Sequence, residues 1–139
     1  MRKQIGAALV EFAILLPLLV LIAFGITEYG RAVYQYDTLT KSVRSAARLL
    51  SQYGPDGSHD AQARCLAVFG NRTCAGSPLL PGLHTGQVII ETHSNLPTGA
   101  GSINVVSVAI RDYPFTSLVP ALVPDIRFGS IAATMRQTL

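Results

Sequence analysis

From Gly6 to Ile26 the chain reads G-A-A-L-V-E-F-A-I-L-L-P-L-L-V-L-I-A-F-G-I, and Glu11 is the one charged residue in this stretch. A helix of about 20 predominantly apolar residues is long enough to cross the hydrocarbon core of a bilayer. The sequence therefore predicts one membrane-spanning helix over residues 7–26. We expect the rest of the chain to be held beside a membrane.

The charges that flank this stretch predict its orientation. Arg2 and Lys3 precede it, whereas the first charges after it, Glu28 and Arg31, cancel. Because positive flanks tend to stay in the cytoplasm, the N-terminus is expected inside and the remaining chain outside. This flank also supplies two of the three net positive charges of the chain. The remaining chain therefore lacks the excess of basic residues that would indicate a nucleic-acid partner.

A helical pattern continues beyond the span. Apolar or small residues recur at steps of three and four, which is typical of one helix face: Ile26, Tyr29, Val33, Tyr36, Thr40, Val43, Ala47 and Leu50. The run Gly54-Pro55-Asp56-Gly57 ends this pattern. We therefore expect one continuous helix to about Tyr53, with residues 27–53 as an extracytoplasmic extension. The alternative is two helices broken near Gly25 or Gly30.

Residues 54–139 predict a small α+β domain. Asp60 is expected to cap a helix over residues 61–69, which Gly70 would close. Strand-like runs rich in β-branched residues occupy 87–93, 103–111 and 126–135, with a turn at 96–101. Short connections between successive strands favour an antiparallel sheet. The predicted fold class is α+β, with the long N-terminal helix packed on this sheet.

Cys65 and Cys74 fall on the outer side in this topology, where disulfides persist. Eight residues separate them, a spacing that fits neither a common zinc site nor a C-x-x-C redox motif. A structural disulfide is the first interpretation, and two free buried cysteines are the alternative.

Catalytic patterns are missing from the sequence. His59, His84 and His93 are scattered, and no metalloprotease, nucleophile-elbow or phosphate-loop motif occurs. We expect no enzyme activity, no catalytic or metal-binding residues, no cofactor and no small-molecule substrate.

Glu11 requires a reason, because a carboxylate at the bilayer centre costs up to about 3 kcal/mol. One interpretation is an interfacial residue that marks the start of the span. The other is a charge kept to pair with a cation inside a bundle of helices.

The residues around Glu11 resemble a known pattern. M-R-K-Q-I-G followed by A-A-L-V-E-F is similar to the processing site of type IV prepilins, in which Gly6, Ala7, Glu11 and Phe12 match the motif. The longer stretch to about residue 50, including E-Y-G-R at 28–31 and A-A-R at 46–48, resembles the TadE-like minor pilins of tight-adherence (Flp-type) pili.

The resemblance implies a minor pilin or pseudopilin-like structural protein that takes part in assembling or priming a tight-adherence pilus. A prepilin peptidase would cut after Gly6, removing a leader of residues 1–6 and freeing the amine of Ala7. Glu11 and Phe12 would serve assembly with other pilins and with platform proteins. The location implied is the bacterial inner membrane, with residues 27–139 periplasmic, whether or not the chain enters the fibre.

Two other interpretations stay open on the residues alone. The chain would be a single-pass anchor whose outer domain binds a partner without polymerising, or a secreted protein whose span is a signal peptide. For the latter, Ala23-Phe24-Gly25 loosely fits a cleavage site. Glu11, the length of the apolar stretch and the helical pattern through Ile26 argue against a signal peptide.

Overall fold

The computed structural model describes residues 3–120 and 123–138, so Met1 and Arg2 of the predicted leader and positive flank lie outside the described residues. One helix, α1, runs without interruption over Lys3–Ser51 and measures about 70 Å at 1.5 Å per residue. The predicted continuous helix is confirmed, and the alternative of a break near Gly25 or Gly30 is wrong. A glycine inside a helix costs only about 1 kcal/mol, which so long a helix tolerates.

A second helix, α2, spans Asp60–Phe69. The predicted capping role of Asp60 is wrong, because His59 occupies the N-cap and donates or accepts no side-chain capping hydrogen bond. Asp60 instead lies in the first turn of α2, where its negative charge interacts favourably with the positive end of the helix dipole. Gly70 closes the helix as expected, in a left-handed conformation with φ of 73°.

Antiparallel strands complete the fold. A three-stranded sheet has the order β1-β2-β5, and a two-residue bridge joins β3 to β4. The bounds are β1 Val88–Thr98, β2 Gly101–Ile110, β3 Pro114–Phe115, β4 Ile126–Arg127 and β5 Ile131–Gln137. The fold class predicted from the sequence, a long apolar helix with a small antiparallel sheet, is confirmed.

Two strand predictions need correction. The segment 96–98, expected in a turn, belongs to β1, where Pro97 pairs with Ser102. An edge strand tolerates proline because its outer N–H groups have no ladder partner. The single strand expected over 126–135 is two strands, since the Phe128 N–H turns away to donate to the Tyr113 carbonyl at 3.0 Å.

The hydrophobic core lies between the last turns of α1, the helix α2 and the faces of β2 and β5. Each of these four elements contributes buried side chains to the core: Leu39, Val43, Ala46 and Ala47; Ala63, Ala67 and Val68; Val106, Val108 and Ile110; and Ile131 at the start of β5. Gln137 at the end of β5 donates to the carbonyls of Leu50 and Tyr53, which would otherwise be left open at the end of α1.

The folded domain covers only the later part of the apolar stripe along α1. Val43, Ala47 and Leu50 are buried, but Ile26, Tyr29, Val33 and Tyr36 are 68%, 74%, 48% and 52% exposed. The sheet is short, and the first buried apolar residue of α1 is Leu39. Among the exposed positions of the stripe, Tyr36 still makes an edge-to-face contact with the ring of Phe128 at 5.9 Å.

Candidate functional site on the long helix

The first half of α1 is bare. Every described side chain from residue 6 to residue 27 is exposed, and the helix is long and apolar enough to cross a membrane, with a mean hydropathy of 2.7 in its most apolar window. Folded domains in water rarely leave a contiguous apolar patch above a few hundred Å² uncovered. The surface of this segment therefore suits lipid or other apolar helices.

The four residues of the processing-like motif all lie on this bare segment. Gly6 and Ala7 are in the first turns of α1, and Phe12 is 58% exposed. Glu11 is exposed as well, and no described residue forms an ion pair with it. Because Ala7 and Glu11 are four residues apart, they share one face of the helix.

A second group of polar residues lies just after the bare segment. Glu28 is only 3% exposed, and the loop between β3 and β4 covers it. Its carboxylate accepts hydrogen bonds from Arg31 Nη1 at 2.5 Å, Ser117 Oγ at 2.9 Å and the Leu118 backbone N–H at 3.1 Å. We call Glu28, Arg31, Ser117 and Leu118 the clasp, because they tie this loop to α1.

The contacts of the clasp favour the ionised form of the Glu28 carboxylate. Burial raises its pKa, but the hydrogen bonds from Arg31, the Leu118 N–H and Ser117, together with the positive charge of Arg31, outweigh burial. The pKa of Glu28 therefore lies below its ordinary value. Glu28 lies beyond the predicted span of residues 7–26, on the side of the folded domain.

Arg31 extends the clasp toward the aromatic part of the core. Its guanidinium lies 5.5 Å from the centre of the Phe115 ring, and Nη2 is 3.5 Å from the carbonyl of Thr116. Phe115 is buried and in turn lies 6.0 Å from the ring of Phe128. The charged pair on α1 is thus joined to the sheet side of the molecule through one cation–π contact.

Sequence reasoning missed the clasp. It treated Glu28 and Arg31 as charges that cancel after the span and as the ends of the E-Y-G-R resemblance, and it did not pair them with any distant residue. A usable signal was their i, i+3 spacing, which brings opposite charges together on one helix face. Ser117 lies 89 residues away from Glu28 along the chain, so no local pattern could pair the two.

The cysteine pair is joined in the structure. Cys65 on α2 and Cys74 after it form a disulfide with their Cα atoms 4.6 Å apart, and the alternative of two free cysteines is wrong. Asn71 organises the loop between them. Its side-chain Oδ1 accepts hydrogen bonds from the Thr73 N–H and hydroxyl and from the Ala75 N–H. The disulfide therefore closes a loop that is already held by local hydrogen bonds.

One group of side chains superficially resembles a nucleophilic site. Ser58 Oγ donates to Asp56 Oδ1 at 2.9 Å and lies 2.8 Å from His59 Nδ1. In a catalytic triad the histidine stands between the serine and the acid, whereas here the serine stands between the other two. The His59 ring is also stacked on Tyr53 at 3.6 Å. These contacts order the connection between α1 and α2.

No cluster of three or more His, Cys, Asp or Glu that could hold a metal ion occurs within residues 3–120 and 123–138.

Fold and surface together define a class: an α+β protein built on one long helix, of which the first half is a candidate membrane span and the second half is part of the core. Residues 6–48 match the family model of the TadE-like proteins, which confirms the resemblance inferred from the sequence. The matched residues all lie in α1 and include Gly6, Glu11, Glu28 and Arg31. Neither the curated proteins nor the solved structures contain a match to the chain.

Proposed function

We propose that this chain is a minor pilin-like structural protein, without enzyme activity, that takes part in assembling or priming a tight-adherence pilus. The observation that carries the proposal is the TadE-like match over residues 6–48, whose first half is an apolar helix surface that no described residue covers. An apolar helix of this kind can leave the membrane when its surface packs against the helices of neighbouring subunits.

The proposed maturation step is cleavage after Gly6 by a prepilin peptidase. The peptide bond between Gly6 and Ala7 is hydrolysed, which removes residues 1–6 and leaves Ala7 with a free, protonated amine. The exposure of Gly6 and Ala7 at the start of α1 supports access by the peptidase. A periplasmic location of the folded domain also fits its disulfide, since disulfides persist outside the cytoplasm.

Glu11 is the proposed partner of that amine. In low dielectric an unpaired charge is costly, so a bundle of staggered helices gains most when the carboxylate of one subunit meets the amine of the next. Within a single helix the amine of Ala7 and the carboxylate of Glu11 are one turn apart, but a pair inside one chain would not join neighbouring subunits. The role proposed here is between chains, where Glu11 sets the register of neighbouring subunits and Phe12 packs beside it.

Two other functions remain alternatives. An anchor that never polymerises would use the same span, but it would not need a carboxylate inside it. A signal peptide cut near Gly25 would sever α1 three residues before Glu28, and the continuous helix and the clasp give no support to such a cut.

The experiment compares Glu11→Gln with the wild type in the native host. Gln keeps the shape of the side chain and removes its charge. We expect an unchanged amount of protein in the membrane and a mature chain beginning at Ala7, because insertion depends on apolar length and cleavage mainly on Gly6. Pili, or co-purification with pilus proteins, should be lost. Asp37→Asn is the matched control, because it removes an exposed carboxylate from the same helix beyond the span.

Each outcome separates the candidate functions. Normal piliation by Glu11→Gln would show that Glu11 only marks the membrane interface, and the assembly role would be wrong. An N-terminus at Ile26 in the mature wild-type protein would establish the signal peptide, and an uncleaved N-terminus would favour the plain anchor.

A further inference from the structure

The loop held by the clasp presents one large apolar side chain to the outside. Leu118 is 69% exposed, whereas its neighbour Ser117 is 5% exposed and turned toward Glu28. The backbone N–H of Leu118 donates to Glu28 Oε2 at 3.1 Å, so the main chain at this position is fixed directly against α1. The exposed leucine is thus held by a buried ionic contact and does not lie on a free loop.

The clasp also sets the height of Leu118 along the helix. Glu28 lies two residues after Ile26, the last residue of the predicted span, which is about 3 Å along the axis at 1.5 Å per residue. Side chains of a helix lean toward its N-terminus, so the Glu28 carboxylate points back toward the span. The headgroup region on each side of the hydrocarbon core is about 5–7 Å thick. With the span ending at Ile26 as predicted, this places Leu118 at the level where lipid headgroups meet acyl chains.

We propose that Leu118 inserts into the outer leaflet of the same bilayer that α1 crosses, as a second contact between the chain and lipid. The proposal rests on the membrane anchorage described under the proposed function. Lipid is the occupant favoured here because Leu118 adjoins the end of the span, and because Ile26 and Tyr29 at the same level are 68% and 74% exposed. Tyrosine is enriched where membranes meet water.

This contact would restrict how the folded domain sits on the membrane. A single helix is free to rotate about its axis and to change its tilt. A second contact beside the axis, joined to the helix through Glu28, selects one rotation and holds the sheet above one side of the span. Copies of the chain that share one orientation on the membrane would present the same face of the folded domain to their neighbours.

The chain contains no tryptophan, so one introduced tryptophan reports on a single position. We would reconstitute the full-length chain in phosphatidylcholine–phosphatidylglycerol vesicles with bromine at a shallow or a deep position of the acyl chains. Three exposed positions are compared: Leu118→Trp, Phe24→Trp within the span, and Arg48→Trp. Arg48 lies 20 residues beyond Glu28, about 30 Å farther along the helix axis, and serves as the water-exposed control.

We expect shallow bromines to quench Leu118→Trp by at least about twofold more than deep bromines, and Arg48→Trp to be unquenched by both. Adding Glu28→Gln to Leu118→Trp should lower the shallow quenching, because the clasp then holds the loop less firmly. Equal quenching with and without Glu28→Gln would refute the role of the clasp.

Leu118→Trp that is quenched no more than Arg48→Trp would overturn the lipid contact. A blue-shifted emission that bromine does not quench and that grows with protein density would also overturn it, because a second copy of the chain would then cover Leu118. If Phe24→Trp were unquenched as well, the anchorage itself would fail, which separates that failure from the failure of the Leu118 contact.

Discussion

Val43 offers the sharpest test of how the long helix is joined to the sheet. Val43 lies on α1, and its fully buried side chain belongs to the same core cluster as residues of α2 and β2. Val43→Ala removes two methyl groups, which at about 0.8 kcal/mol per buried carbon plus the cost of the cavity amounts to about 2 kcal/mol. Val43→Asp also loses the packing of valine and places a carboxylate in the apolar core cluster.

The aspartate variant should therefore be much less stable than the alanine variant. Burying an unpaired charge costs several kcal/mol even when the group avoids part of the cost by taking up a proton. For a domain of this size about 1 kcal/mol lowers the melting temperature by about 4–8 °C. We expect a decrease of about 10 °C for Val43→Ala, and for Val43→Asp a decrease of at least about 15 °C or no folded domain.

The assay is thermal unfolding of the full-length chain in mild detergent, followed by the near-ultraviolet circular dichroism of the tyrosines. The far-ultraviolet signal is unsuitable because the apolar half of α1 stays helical in the micelle. Ser45→Asp is the matched control, since it places the same charge on an exposed position of the same helix. Melting of Val43→Asp within about 2 °C of the wild type, a change of under about 0.5 kcal/mol, would refute the packing of α1 on the sheet.

Two further predictions concern the clasp and the end of α2. The pKa of Glu28 is lowered in the folded protein, so its contribution to stability is present above the ordinary pKa and is lost as the pH falls through the lowered value. The melting temperature should fall as the pH is lowered below the ordinary glutamate pKa of 4.5 and through the lowered pKa of Glu28, and Glu28→Gln should flatten that fall; an identical pH profile in both would contradict the role of this carboxylate. Gly70→Ala should cost about 1–2 kcal/mol, because the residue is left-handed and a Cβ would approach Leu79 Cδ2 to 3.2 Å. Gly99→Ala, which has open space and no positive φ, is its control in the same melting assay, and equal melting of the two variants would contradict the prediction.

Local patterns were sufficient for the parts of the fold that depend on neighbours in the chain. The apolar length after Gly6 predicts the candidate span, the 3–4 spacing predicts the helix through Gly30, and Gly70 predicts the end of α2. Each of these features depends on a local free-energy contribution. The contributions are the transfer of apolar residues to lipid for the span, helix propensity for the helix through Gly30, and the left-handed cap for the end of α2. The processing-like motif around Glu11 is equally local, and for this reason it was found without any structure.

Tertiary structure decided which of the helix positions have partners. The stripe from Ile26 to Leu50 is uniform in sequence, yet its first buried member is Val43, because the reach of a short three-stranded sheet is not encoded in any window of α1. Glu28 and Ser117 are likewise 89 residues apart and meet only when the sheet has folded against the helix. Sequence by itself thus determined the long helix and its candidate assembly residues, whereas packing between distant segments determined the clasp and left the first half of the helix bare.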